Sequence, residues 1–208
     1  MKKILTLLFL FACFLYSCKK QSINSMDDYL TWLNDSENGL MKERIINGLQ
    51  IKVKYLPPDY LSLKDKSSRN TDSLKDYYSH SLSFLLSINP EQVNQKDIVY
   101  REVNDYSDYK ARIYQLSFRL DELISVEIEN MKITPVLTSF ENVYGIKQGR
   151  DIIVVFTPSD ENQAKMIASG NIDFIFNDEI FKTGISHFQF IRSDIENAPA
   201  IDFSNKQM

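Results

Sequence analysis

The chain has 208 residues, with 28 acidic and 24 basic side chains for a formal charge of −4, and 43% of its residues are hydrophobic. A mildly acidic chain with interspersed charges is a poor match for nucleic acid or another polyanion. Its only cysteines, Cys13 and Cys18, both lie near the N-terminus, so the rest of the chain has no disulfide and no thiol chemistry and must be stabilised by an apolar core.

The first 17 residues have the anatomy of a signal peptide. Lys2 and Lys3 form a positive start, and Ile4 to Leu15 is apolar except for Thr6. A membrane-spanning helix needs about 20 apolar residues, so this run is too short for a permanent span and suits a signal-peptide core. Leu15-Tyr16-Ser17-Cys18 then resembles the lipobox of bacterial lipoproteins, with Leu15, Ser17 and Cys18 in place and Tyr16 larger than the usual residue. That resemblance implies cleavage before Cys18, acylation of its thiol and of the new amino group, and anchoring to a membrane through Cys18. With no acidic residue directly after Cys18, it also implies an outer-membrane lipoprotein facing the periplasm. Loss of Lys2 and Lys3 with the signal peptide takes the formal charge from −4 to −6. The expected organisation is a signal peptide over 1–17, the lipidated Cys18 with a polar tether to residue 25, and a single β-rich domain over 26–208.

Beyond the tether, Met26 to Asn34 reads as a short helix, with Ser25 as its N-cap, Asp27 and Asp28 in the first turn, and Trp32 docking it on the body. Asn47-Gly48 between two apolar-rich runs predicts a hairpin, because both turn residues need positive φ. Met41 to Ile46 and Ile51 to Tyr55 are its strands. Pro57-Pro58 ends the second, and Asp59 to Lys64 makes a helical turn. A charged, Ser-rich stretch follows, with a short helix from Thr71 to Tyr78. Leu82 to Ile88 alternates as a strand and stops at Asn89-Pro90. Glu91 to Tyr109 is polar and reads as a long connection.

From Ala111 the strand signals are dense. Tyr114, Leu116, Phe118 and Leu120 alternate with Ile113, Gln115, Ser117 and Arg119, and Ile124 to Ile128 alternates in the same way. Glu129-Asn130 turns the chain into a strand over Ile133 to Phe140, where Pro135 suggests an edge or bulge. Gly145 to Gly149 turns it again. The apolar run Ile152 to Phe156 predicts a strand buried on both faces. Pro158 to Glu161 opens a short helix that Gly170-Asn171 closes, followed by strands at Ile172 to Phe176 and Phe188 to Arg192 and a frayed Lys206-Gln207-Met208. Eight or nine strands without a βαβ rhythm predict a mainly β fold, an antiparallel β-sandwich or curled sheet with a few short helices, with an α+β layer fold as the alternative.

Little in the chain carries catalytic chemistry. His80 and His187 are the only histidines, with no HExxH motif or second pair for zinc, and Ser186 and His187 are adjacent on a strand and so point to opposite faces. The pairs Asp121/Glu122, Glu127/Glu129, Asp160/Glu161 and Asp178/Glu179 read as solvated residues or caps and turns. No cofactor motif, metal site or catalytic residue is assigned. The distinctive feature is aromatic: 13 Phe, mostly at strand positions, and 11 Tyr, of which Tyr77, Tyr78, Tyr100, Tyr106 and Tyr109 fall in the polar middle segment, amid Asp105-Tyr106-Ser107-Asp108-Tyr109. Tyr106 and Tyr109 are the candidate contacts for a ligand or partner. The expectation is a non-catalytic envelope lipoprotein that meets a protein partner near the membrane. A glycan- or peptide-binding lipoprotein and a hydrolase with an acidic site are the alternatives.

Overall fold

The computed structural model describes residues 22–67, 70–92, 96–140 and 147–201. The segment read as a signal peptide, Cys18, part of the turn expected at Gly145 and the last residues lie outside them. The polar stretch before residue 26 is partly structured: Ser22–Ile23 is a strand, β1, paired in parallel with Ala200–Ile201 at the far end of the chain, β11. The segment read as tether is therefore shorter than its polarity suggested.

Helix α1 (Met26–Leu33) is capped as expected, with the Ser25 hydroxyl accepting from the Asp28 amide at 3.1 Å. Strands β2 (Met41–Ile46) and β3 (Leu49–Tyr55) form the predicted hairpin, and Asn47 and Gly48 take φ of 52° and 70°. Pro58 starts α2 (Pro58–Lys64) at a position where its missing N–H costs nothing. Helix α3 (Thr71–Ser79) and strand β4 (Leu82–Pro90) follow. After a 3₁₀ turn at Ile98–Tyr100 come α4 (Tyr106–Phe118), α5 (Leu120–Leu123), β5 (Ile124–Ile128), β6 (Met131–Ile133), β7 (Leu137–Phe140) and β8 (Arg150–Phe156). The chain closes with α6 (Glu161–Ser169), β9 (Ile172–Asp178), β10 (Gly184–Phe190), α7 (Arg192–Glu196) and β11.

The architecture is mainly β. A five-stranded sheet has the order β2-β3-β4-β8-β7 and a four-stranded sheet the order β10-β9-β5-β6, every neighbouring pair antiparallel. The two sheets meet through aromatic rings. Phe84 of β4 lies 5.1 Å from Phe174 of β9 and 5.3 Å from Phe190 of β10, centroid to centroid, and all three are fully buried. One contiguous core runs between the sheets and takes in α1, α4 and α6. Each large side chain buried there contributes about 1.5–3 kcal/mol.

Four sequence expectations are corrected. Tyr114 to Leu120 is not a strand: it is the end of α4 and the start of α5. Period-two alternation is present, but Tyr109, Ile113, Leu116 and Leu120 also recur at helical spacing, and this is the stripe that touches the core. Ile133 to Phe140 is not one strand. Thr134-Pro135-Val136 carries the chain from the four-stranded to the five-stranded sheet, splitting it into β6 and β7. Strand β8 is not buried on both faces, since Ile153 on its outer side is 37% exposed. Strand β10 ends at Phe190, and Arg192 opens α7.

The two ends of the sandwich are built differently. Strand β3 runs from the Asn47–Gly48 turn at one end to Tyr55 at the other, about 20 Å at roughly 3.3 Å per residue. At the turn end lie the 3₁₀ turn, α4 and the loop after β9: the Glu91 amide donates to the Gly48 carbonyl, and Asn47 donates to the Lys182 carbonyl. At the Tyr55 end lie α1, α2, α7 and the β1–β11 pair, with α1 touching β1 and α2 touching β11. A buried ion pair fixes the turn end. Arg150 of β8, its side chain 1% exposed, donates to the Asp97 carboxylate at 2.7 Å and to the Lys147 and Gly149 carbonyls at 3.0 and 2.8 Å. Asp97 in turn caps the 3₁₀ turn by accepting from the Val99 amide at 3.0 Å.

Candidate functional site

Three tyrosines stack at the turn end. Tyr109 stands in the middle, its ring 5.2 Å from Tyr100 at an interplanar angle of 9° and 6.3 Å from Tyr106 at 23°. Lys110 places its ammonium 5.1 Å from the Tyr106 ring centre. The local sequence explains the arrangement. Asp105 is the N-cap of α4, accepting from the Asp108 amide at 3.0 Å, and this starts the helix one residue before Tyr106. Tyr106 and Tyr109 are then three residues apart on one helix and share a face. Tyr100 arrives from the 3₁₀ turn, which the Asp97–Arg150 pair holds in place. The Asn104 amide and side chain both donate to the Asp108 carboxylate at 3.1 Å and hold it below the ordinary carboxylate range.

The stack is an exposed amphipathic surface. Tyr106 is 71% and Tyr100 52% exposed, whereas Tyr109 is half-buried against the core. Each stacked pair contributes about 0.5–1.5 kcal/mol beyond area burial, so the rings are held before any partner arrives. Tyrosines held in this way give contact area at low entropic cost. The sequence reading singled out Tyr106 and Tyr109, and the fold brings them together. It named Tyr100 among the tyrosines of the middle segment but did not place it or Lys110 beside them, because the segment reads as a long connection; the i, i+3 spacing after a capping Asp was the available signal.

The other tyrosines of the middle region belong elsewhere. Tyr77 and Tyr78 meet edge-on at 5.3 Å on α3, at the Tyr55 end. The Tyr78 hydroxyl donates to Asp65 at 2.7 Å, and this bond, with a smaller effect of burial, pushes the phenol up to about 12. They line a groove of about 790 Å³ with His80, Val136, Leu137 and Pro158. A second groove of about 410 Å³, between Tyr55, Pro57, Ala164 and Arg192, shares His80 and Pro158 with it. His80 follows the last turn of α3 and its Nδ1 lies 2.7 Å from the Asp76 carbonyl, a helix-closing contact.

His187 has a carboxylate partner. Its Nδ1 lies 2.7 Å from Asp173 on the exposed face of the four-stranded sheet, and Glu127 stands directly opposite Asp173 in the β5–β9 register. These three line a depression of about 500 Å³. Sequence reasoning missed this grouping because it comes from three strands. Ser186 points the other way and is fully buried, as strand alternation requires. The carboxylate pairs have local roles: Asp160 caps α6, Glu161 pairs with Lys165 at 2.8 Å, and Glu122 pairs with Arg119. Asp178 is buried and accepts from the amides of Ile180, Phe181 and Thr183 and from the Thr183 hydroxyl. Among the described residues no three His, Cys, Asp or Glu side chains form a metal-binding group, and no helix is long and apolar enough to cross a membrane.

No family model matches the chain, and no curated protein matches it in sequence. A solved structure of a novel protein of unknown function from Burkholderia pseudomallei is similar at 9% identity and a TM-score of 0.39, over 85% of this chain and 90% of that one. At that level the likeness bears on no functional argument.

Proposed function

We propose that the chain is a lipid-anchored protein of the bacterial cell envelope, on the outer membrane and facing the periplasm, that holds a protein partner near the membrane and does no catalysis itself. The observation that carries this reading is the exposed stack of Tyr100, Tyr109 and Tyr106 with Lys110 beside it. Preorganised tyrosines are what protein interfaces use as anchors. The lipobox-like Leu15-Tyr16-Ser17-Cys18 supports the address.

The test is recovery of crosslinked partner from native membranes, comparing the parent protein with Tyr100→Ala and Tyr106→Ala. Loss of a protein partner in both variants supports the reading. Loss of retention on glycan or on short peptide, with no protein partner at all, replaces it by a ligand-binding lipoprotein. A Cys18→Ala variant that still fractionates fully with membranes contradicts the anchor.

A second reading, hydrolysis at an acidic site, is favoured by Glu127 and Asp173 standing side by side on neighbouring strands near His187. Turnover of a chromogenic ester or glycoside that disappears in Glu127→Gln and Asp173→Asn would establish it. Absence of turnover leaves the His187–Asp173 pair as a surface contact of the sheet.

A further inference from the structure

We propose that the end of the sandwich carrying β1 and β11 rests on the headgroup layer of the bilayer, so that the tyrosine stack at the other end is turned away from it. This rests on the reading that Cys18 is lipidated, and adds an orientation to it.

Little chain lies between the anchor and the fold. Only Lys19, Lys20 and Gln21 separate Cys18 from Ser22, whose strand is paired with Ala200–Ile201. Four residue steps reach at most about 14 Å, less than the roughly 20 Å that β3 spans between the two ends of the sandwich. The acylated residue therefore stays beside β1, and β1 cannot drift from the membrane. Ile23 and Ile201 pack against the core, which ties this strand pair to the body.

The side chains of that end also suit a headgroup layer. Trp32 of α1 and Tyr60 of α2 are half-buried, and Tyr60 stacks on Tyr29 at 6.3 Å. Lys64, exposed at the end of α2, holds its ammonium 5.7 Å from the Tyr60 ring centre. Amphipathic rings beside a lysine are the composition that settles in the headgroup layer, and Lys19 and Lys20 add positive charge at the point of attachment. Of the acids at that end, Asp59 pairs with Lys75 at 2.5 Å, whereas Asp27, Asp28, Asp35 and Glu37 are exposed, so attraction to anionic headgroups comes from Lys19 and Lys20, and contact from the rings. The stack lies at the Asn47–Gly48 end, beyond the reach that the short tether allows for an upright domain.

The mature chain has no cysteine other than the acylated Cys18, so a single introduced thiol reports position cleanly. A fluorophore is placed on Lys64→Cys or on Ser107→Cys, and each lipidated protein is reconstituted into phosphatidylethanolamine–phosphatidylglycerol vesicles containing a nitroxide-headgroup lipid. Quenching is expected to be several-fold stronger at position 64 than at 107, and a long Gly-Ser insertion after Gln21 is expected to remove the difference. Protein that floats with the vesicles but is quenched equally at both positions overturns the orientation alone. Protein that does not float overturns the lipid anchor and the orientation with it. Shielding at position 64 that follows protein concentration rather than lipid marks a second copy of the chain on that face and overturns the inference.

Discussion

The two ends of the sandwich are made from different kinds of sequence. The Tyr55 end is assembled from pieces far apart in the chain: β1 and α1 from the start, α2 from beside the hairpin, α7 and β11 from the close. At the Asn47–Gly48 end the tyrosine stack comes from one stretch of chain, where Asp97 caps a 3₁₀ turn and Asp105 caps the 13-residue helix α4, and Arg150 ties that stretch to the five-stranded sheet. The first end is held by apolar contact and strand pairing, the second by polar caps and one buried ion pair. The lesson is that the two ends should fail separately when their own fastenings are cut, and together only when the shared core is cut.

The largest expected effect is on that shared core. Phe84 touches rings from both sheets, and Phe84→Ala should cost about 3–5 kcal/mol, measured by denaturant unfolding. Trp32 fluorescence at one end and hydrogen exchange of α4 at the other should report the same loss. Asp97→Ala comes next, at about 3 kcal/mol, because it leaves a buried guanidinium without its carboxylate while the two carbonyl partners of Arg150 remain. Here the ends should part company. Amide exchange should rise over residues 98–109 and stay unchanged in α1; a uniform rise would remove the distinction between the ends. Gly48→Ala should cost about 1 kcal/mol, since φ is +70° there, with little other contact to lose. Tyr106→Ala should cost about 0.5 kcal/mol, the low end for one stacked pair on an exposed ring, while weakening retention of the proposed partner, which separates an exposed contact from a structural one.

The smallest effect is a pH dependence confined to the Tyr55 end. The Tyr78 phenol is raised from 10.0 to about 12 by its bond to Asp65. That bond is fully present below pH 10 and is lost as pH rises through about 12. On the acid side, Asp65 is lowered from 3.8, chiefly by the Ser67 amide and then by Tyr78, so its contribution is present above 3.8 and is lost as pH falls through the lowered value. Tyr78→Phe should remove one late-titrating phenol from the tyrosinate absorbance curve and weaken the acid step, without altering exchange near the tyrosine stack.

What was legible in the sequence was local. The Asn47-Gly48 hairpin, the Ser25 cap, the strand over Leu82 to Ile88 and the Glu129-Asn130 turn each rest on a few adjacent residues, and each is present, although the strand runs on through Asn89-Pro90, where it was expected to stop. The alternation of Ile172, Phe174 and Phe176 likewise gave a strand whose even positions fill the core. Reading failed where two periods fit the same residues, as in Tyr114 to Leu120, and where the chain changes sheets, as at Pro135. Burial of β8 was overread because an apolar run does not say which neighbours cover it. At the candidate site, Tyr106 and Tyr109 were legible by composition. Tyr100 joins them only through Asp97 and Arg150, 53 positions apart, and the grouping of Glu127, Asp173 and His187 needs the order of three strands.

The measurement that bears most directly on the account is quantitative recovery of crosslinked partner from native envelopes by the full-length protein and its Tyr100→Ala/Tyr106→Ala double variant. The account predicts at least about a tenfold loss of recovered partner in the double variant, equivalent to about 1.4 kcal/mol, with His187→Ala recovering as much as the parent protein. Equal recovery by the parent protein and the double variant would contradict it.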